Sequence, residues 1–112
     1  MPIFISQGRY SRDAIKGMIA NPEDRAEAAS KLFEAAGGKL LAYYVTLGEY
    51  DWLIVSEFPD HQSVSAAVLA AAASGGVTDE KTTLAMTTAE AKGVFAAAAK
   101  AAAAYRAPGG AA

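Results

Sequence analysis

The side chain best suited to proton transfer in this sequence is its single histidine, His61. Its ordinary pKa lies close to neutral pH, so it would be the natural acid or base of a catalytic site. It directly follows Asp60 at a predicted helix start, where the simpler interpretation is an exposed residue of the first helical turn. Because the chain has one histidine and no cysteine, we expect no metal site, and no pattern indicates a cofactor.

A second group of candidates is aromatic. Tyr10, Tyr43, Tyr44 and Trp52 fall on predicted strands. Aromatic side chains dominate the energetics of cores and interfaces, so most of them should simply pack. One or two could instead line a cavity on the sheet that accepts a small apolar or aromatic molecule. Tyr10, Tyr44 and Trp52 are therefore candidate ligand-binding residues.

The segment Gly48-Glu49-Tyr50-Asp51 has the composition of a hairpin turn. In one interpretation Tyr50 packs and Asp51 accepts hydrogen bonds from backbone amides, as turn aspartates often do. In the other, Tyr50 and Asp51 lie at the mouth of a pocket between the sheet and the helices. If Gly48 needs a positive φ, replacing it with valine should destabilise the hairpin.

Several classes of function have little support. The net charge of −2 and the pI near 5.3 give no electrostatic reason to expect nucleic acid or an anionic membrane as a partner. No apolar stretch approaches the roughly 20 residues of a membrane span, and the first ten residues do not have the form of a signal peptide. The glycines do not form a phosphate-binding motif. We expect a soluble cytoplasmic protein.

The hydrophobic pattern predicts the elements that would position these residues. Alanine makes up a quarter of the chain, and the larger apolar residues concentrate near 3–5, 40–47 and 52–58. In chain order we predict a strand at 3–10, a short helical turn, and a main helix that starts at Asn21-Pro22 and ends at Gly37-Gly38. Strands follow at 39–47 and 52–58, then a helix from Asp60 to Gly75-Gly76 and a polar edge strand at 77–87. Thr87 and Glu90 form a capping box that opens a last helix, which runs through Tyr105.

This order predicts an α+β, ferredoxin-like βαββαβ fold with a four-stranded antiparallel sheet, two helices on one face and an added C-terminal helix. We expect one domain over residues 1–105 and a disordered tail over 106–112. The third strand carries large apolar residues on both faces, so we expect both faces to be buried. The sheet face without helices would show Phe4, Tyr44, Trp52 or their neighbours, depending on register.

Such an exposed apolar face favours self-association into a homodimer or a larger oligomer. The last helix is the alternative cover, because its alanine-rich face with Val94 and Phe95 could fold back over the sheet within one chain.

The run Thr46-Leu47-Gly48-Glu49-Tyr50-Asp51 resembles the signature of the GYD domain family. The stretches Ile15-Lys16-Gly17, Arg25-Ala26-Glu27-Ala28-Ala29, Gly37-Gly38-Lys39-Leu40 and Glu57-Phe58-Pro59-Asp60 are similar to the same family, and the likeness covers about residues 1–90. The resemblance implies a ferredoxin-like fold related to the dimeric α/β barrels, in which two sheets pack face to face. It implies no activity and no catalytic residues.

Three functions remain open. The first is an oligomeric protein that binds or senses a small ligand, with Tyr10, Tyr44, Tyr50, Asp51, Trp52 and His61 as candidate contacts. The second is a cofactor-free enzyme, such as an isomerase or monooxygenase, by analogy with the barrel superfamily only. The third is a structural assembly module.

Overall fold

The computed structural model describes residues 1–110, which form one four-stranded sheet and four helices. The elements in chain order are β1 (Ile3–Tyr10), α1 (Arg12–Ala20), α2 (Ala26–Ala35), β2 (Lys39–Val45), β3 (Trp52–Glu57), α3 (His61–Ala73), β4 (Val77–Ala85) and α4 (Thr88–Ala102).

The sheet is antiparallel throughout, in the spatial order β2-β3-β1-β4. β1 and β3 lie at the centre, and the polar strand β4 lies at one edge, as predicted. The two long connections through α1–α2 and α3 place these helices over one face of the sheet. The predicted α+β, ferredoxin-like arrangement is therefore confirmed.

The pleat of the central strands separates a face under the helices from an open face. On the helix side, Phe4 of β1 and Trp52 and Ile54 of β3 are buried. The alternate residues of β3, including Leu53 and Val55, are only half-buried. The prediction that β3 is buried on both faces thus holds for one face only, because three helices lie on one side and no element of residues 1–110 covers the other.

The register also decides among the aromatic residues that were candidates for the open face. Phe4 and Trp52 point toward the helices, so the open face shows their neighbours Ile3, Ile5 and Leu53 instead, which was the other outcome that the register left open. Tyr44, which pairs with Leu53, does lie on the open face and is 60% exposed.

The tightest part of the core surrounds Phe58, which is fully buried. Its ring lies 5.3 Å from that of Phe33 and 6.4 Å from that of Phe4, measured between centroids. Gly38 lies against the same ring. A Cβ on Gly38 would fall 2.4 Å from two ring atoms of Phe58 and 2.6 Å from the carbonyl oxygen of Glu57.

Side-chain hydrogen bonds set most helix starts. Asp60 caps α3 by accepting from the Ser63 amide at 2.8 Å. Thr87 and Glu90 form the predicted capping box of α4. The prediction for Asn21 is wrong. α1 is a full nine-residue helix rather than a turn, Asn21 ends it, and Asp24 accepts from the amide of Ala26 at the start of α2.

Some boundaries differ from the prediction. β2 ends at Val45 rather than Leu47, β3 at Glu57, β4 at Ala85, and α4 at Ala102 rather than Tyr105. Gly37 and Gly75 have positive φ after α2 and α3, whereas Gly48 does not. The condition under which Gly48 would resist substitution, a positive φ, is therefore not met. Residues 111 and 112 of the predicted tail lie outside the described residues, and its disorder stays a prediction.

α4 extends away from the sheet and has no buried residue. Phe95 is 73% exposed, and Val94 is also exposed. The whole structure is accordingly elongated, with extents of 64 × 29 × 22 Å. The alternative in which α4 folds back over the sheet of its own chain is wrong.

A matched pair of glycine substitutions tests this packing. Gly38→Ala should lower the free energy of unfolding by about 1–3 kcal/mol, the usual cost of overpacking a core. Gly48→Ala should be neutral or should stabilise by up to about 1 kcal/mol, because its Cβ would meet nothing within 4 Å. Urea unfolding of both variants measures the difference. Equal stability of the two would contradict the placement of Gly38 against Phe58.

Candidate functional site

A cleft of about 810 Å³ lies between the sheet and the helices, at the end of the domain away from Phe58. Its floor is the helix-facing side of the sheet, with Ser6, Tyr10, Tyr43, Trp52 and Ile54. Its size falls within the range of roughly 300–1,000 Å³ that is typical of small-molecule sites.

The cleft exists because the helices present small side chains over large ones on the sheet. Helical residues that line it include Ala14, Gly17, Ala28, Ala29, Ala67, Ala70 and Ala71. A methyl group fills far less of the space above a sheet than the side chains of Phe58 and Val64 do at the other end of the core. The small side chains of α1, α2 and α3 thus leave a space between the helices and the sheet, and the helices do not approach the sheet closely enough to fill it.

Tyr10 and Tyr43 meet on the floor of the cleft, and their hydroxyl oxygens are 2.5 Å apart. Burial raises the pKa of Tyr10 above its ordinary value, and the hydrogen bond to Tyr43 raises it further. Tyr10 is therefore a protonated phenol at neutral pH that can donate a hydrogen bond but is poorly suited to act as a base.

Trp52 is the only tryptophan of the chain and is 5% exposed. It fits because its strand partner is Gly8. A Cβ on Gly8 would lie 2.4 Å from Cζ2 and 2.9 Å from Cε2 of the indole. The indole Nε1 is buried and has no hydrogen-bond partner. Any residue larger than glycine at position 8 would displace this ring.

Asp51 holds the β2–β3 hairpin against β1. Its Oδ2 accepts a hydrogen bond from the Tyr10 amide at 2.9 Å, and its own amide donates to the carbonyl of Gly8 at 2.8 Å. Within the hairpin, the Thr46 hydroxyl donates to the carbonyl of Tyr50 at 2.7 Å. The interpretation in which Asp51 accepts from a backbone amide is confirmed. Asp51 thereby positions Tyr10 and also Trp52, which follows Asp51 in the chain.

Charged residues also reach the cleft. Glu80 of β4 lines it, and its Oε1 is buried without a partner. Glu23 and Arg25, which precede α2, line it as well and form an ion pair at 2.7 Å. The cleft therefore combines an apolar interior with a few polar groups.

The structure brings some of the predicted site residues together and separates others. Tyr10 and Trp52 line the cleft, whereas Tyr50 and Asp51 lie beside it in the hairpin. Tyr44 is on the opposite face of the sheet. His61 is an exposed residue at the start of α3 and does not belong to the cleft lining. Whether any of these residues binds a ligand stays a prediction.

Sequence reasoning did not find Glu80 as a site residue. The strand β4 contains a β-bulge, with Asp79 at φ 55 and a register shift opposite Gly8. The bulge turns both Val77 and Glu80 to the cleft, although residues three apart in a regular strand face opposite sides. An aspartate with positive φ inside a strand leaves no clear pattern in the sequence.

No helix within residues 1–110 is long and apolar enough to cross a membrane. The same residues contain no group of three or more histidine, aspartate or glutamate side chains arranged to hold a metal ion.

The sequence model of the GYD domain matches residues 4–95. This chain belongs to the GYD domain family. The segment Gly48–Asp51, which resembles the family signature, lies within this match, and its aspartate ties the hairpin to β1.

A protein of Thermus thermophilus named glutamine synthetase and cystathionine beta-lyase binding protein is 34% identical over 69 residues, which are 62% of this GYD domain chain and 73% of that protein.

Solved structures share the fold. A transcriptional regulator of Neisseria meningitidis in complex with L-Met superimposes with a TM-score of 0.53 and 19% identity over 77% of this chain and 50% of that one. An AsnC family transcriptional regulator of Agrobacterium tumefaciens gives the same TM-score, identity and coverage. The GYD domain chain thus spans about half the length of either regulator, and at this identity the likeness concerns the fold alone.

Truncating Asp51 tests its structural role in the signature segment. Asp51→Ala should lower the free energy of unfolding by about 1.5–3 kcal/mol, the usual range for a hydrogen bond to a charged group. Asp51→Asn should cost less, because its side-chain oxygen can still accept from the Tyr10 amide. Glu49→Ala, an exposed change in the same turn, is the control. Urea denaturation in which Asp51→Ala and Glu49→Ala were equally stable would contradict the role of Asp51.

Proposed function

We propose that this GYD domain binds a small, largely apolar molecule in the cleft beneath its helices and works as a homodimer. The observation that carries the proposal is the cleft itself, a space of about 810 Å³ floored by Tyr10, Tyr43 and the single tryptophan. Flat aromatic side chains with polar tips suit a ligand that has an apolar body and one or two hydrogen-bonding groups.

The cleft supports binding more than it supports catalysis. The two tyrosine hydroxyls are engaged with each other, and the raised pKa of Tyr10 keeps that phenol protonated. His61 lies elsewhere on the surface. A general base within reach of a bound molecule would have to be a carboxylate, and Glu80 is the one on the floor. The cofactor-free enzyme therefore stays an alternative with less support.

The open face of the sheet supports self-association. The register pairs Ile5 with Val55 in the middle of the open face, and Ile3 lies at one end of it, opposite Glu57. Leu53 and Tyr44 continue the surface toward β2. These side chains stay half-buried or exposed, and no helix in residues 1–110 covers them. Burying an aliphatic side chain of this size against a second copy contributes up to about 1.5–3 kcal/mol.

Charged residues border this apolar surface on several sides. Arg9, Lys39 and Lys81 lie on the open face around its edge, with Glu57 at one end of β3. An apolar centre with a polar rim is the usual composition of a protein interface. Because both copies would use the same face, the dimer should be two-fold.

The names of related proteins support a binding role in general terms. The Thermus thermophilus relative is named for binding two enzymes, and the regulator with the same fold was solved with an amino acid bound. Binding of a partner protein such as glutamine synthetase is accordingly the second candidate function. Co-sedimentation of this chain with purified glutamine synthetase would support that candidate.

Ligand binding can be followed through Trp52. Phenol and benzyl alcohol are suitable first probes, and at least one should change the tryptophan fluorescence saturably. Ala71→Leu places a larger side chain in the cleft and should weaken that binding about tenfold or more, since it fills space that the ligand needs. Ala66→Leu on the exposed side of the same helix is the control. If no probe binds, or Ala71→Leu binds as well as Ala66→Leu, the cleft is not the site.

The dimer is tested by a charge placed at the centre of the open face. Light scattering at micromolar concentration should give about twice the mass of the 11.5 kDa chain. Val55→Lys should give the monomer mass. In a dimer the lysine ammonium would lose its water at the covered face and would be repelled by the same lysine of the second subunit. Gln62→Lys on the exposed surface of α3 should remain dimeric. A monomeric wild-type protein would contradict the proposal.

A further inference from the structure

The pair of tyrosine hydroxyls on the cleft floor has one more proton than its internal hydrogen bond uses. The hydroxyl oxygens of Tyr10 and Tyr43 lie 2.5 Å apart. Each phenol carries a proton at neutral pH, because tyrosine ordinarily ionises near pH 10 and burial raises the pKa of Tyr10 further. Whichever hydroxyl donates within the pair, the other keeps its own proton. Within residues 1–110, neither hydroxyl has a second hydrogen-bond partner, so this proton is available to a molecule outside the pair.

The tyrosine pair is the hydroxyl donor that a molecule in the cleft would meet. Both tyrosine side chains are half-buried and line the cleft. The serine hydroxyls of the lining are less available. Ser6 is 2% exposed and bonds with the Thr82 hydroxyl at 2.9 Å. The Ser74 hydroxyl donates to the carbonyl of Ala71 at 2.6 Å.

A molecule that fills the cleft must replace the water that otherwise accepts from this hydroxyl. Displacing that water with an apolar group would leave the donor unpaired, which lowers affinity. The hydrogen bond inside the pair also polarises the outer O–H group and makes it a stronger donor than an isolated phenol. The pair therefore favours a ligand that places an acceptor oxygen beside it.

The charges of the cleft favour an acceptor that is neutral. The charged side chains of the lining are Glu23, Arg25 and Glu80, which are two carboxylates and one guanidinium. The guanidinium of Arg25 is paired with Glu23 at 2.7 Å. The lining thus offers no excess positive charge to hold an anion, and a carboxylate ligand would be repelled by Glu80.

We propose that the ligand of this cleft is an uncharged apolar molecule with a carbonyl oxygen, and that this oxygen accepts a hydrogen bond from the pair of Tyr10 and Tyr43. A carbonyl oxygen accepts without adding a proton that would itself need an acceptor on a largely apolar lining. The apolar body of the ligand lies among the apolar side chains of the lining, such as Leu32 and Val68. This inference rests on the proposed ligand-binding function and names the chemical class that it requires.

Two probes of the same shape test the proposal. Acetophenone has a carbonyl group, and α-methylstyrene has a CH2 group in place of the carbonyl oxygen. The double variant Tyr10→Phe/Tyr43→Phe keeps both rings and removes both hydroxyls. It should bind acetophenone about three- to tenfold more weakly, the effect of losing one neutral hydrogen bond, and should bind α-methylstyrene as well as the wild type or more tightly. Ligand-detected NMR titrations measure both affinities. Tyr105→Phe, an exposed change outside the cleft, should bind both probes like the wild type.

The outcomes separate this inference from the proposed function. If both probes bind the wild type and the double variant changes the two affinities alike, the cleft remains a ligand site but the carbonyl proposal is overturned. Tighter binding of benzoate than of acetophenone would overturn the uncharged class. If neither probe binds the wild type, the ligand-binding function falls and the carbonyl proposal falls with it.

A measurement on the wild-type protein needs no variant to fold. The carbon-13 shift of the acetophenone carbonyl, extrapolated to the bound state, should lie downfield of its value in hexane, because a hydrogen bond to the oxygen deshields that carbon. A bound shift equal to the value in hexane would also overturn the carbonyl proposal.

Discussion

The contact between Trp52 and Gly8 is the constraint on which the rest of this GYD domain depends. The largest side chain of the sheet lies across the smallest residue of the neighbouring strand. The amide of Asp51, next to Trp52, donates to the carbonyl of Gly8, and the Asp51 carboxylate accepts from the amide of Tyr10. The signature hairpin therefore orients the floor of the cleft rather than lining the cleft itself.

The same sheet has two unlike faces, and each has a different consequence. On the helix side, the rings of Phe58, Phe33 and Phe4 close one end of the core, while alanines leave the other end open. On the opposite side, a strip of half-buried aliphatic residues is left without cover, because α4 extends away from it. One sheet thus offers an internal space for a small molecule and an external surface for a second copy.

Local patterns predicted most of the fold and little of the site. The sequence predicted the alternation in β1 and β3 and the Thr87–Glu90 capping box, because each of these depends on residues that are close in sequence. A cavity over the sheet was one of the open interpretations of the sequence, but its size could not be predicted, since its volume arises where alanines of three helices oppose large residues of the sheet. Glu80 was missed because the bulge at Asp79 reverses the alternation on which strand predictions depend. Tyr44 was placed in the candidate site by type alone and lies on the other face.

The environment of Trp52 tests the central claim most directly, and fluorescence measures it in the native protein. With a single tryptophan at 5% exposure, emission should be at short wavelength and weakly quenched by acrylamide. Gly8→Ala should shift the emission to longer wavelength and increase quenching while circular dichroism still shows a folded domain, because a Cβ at position 8 displaces the ring. Wild-type emission like that of free tryptophan, or a Gly8→Ala spectrum identical to the wild type, would contradict the account.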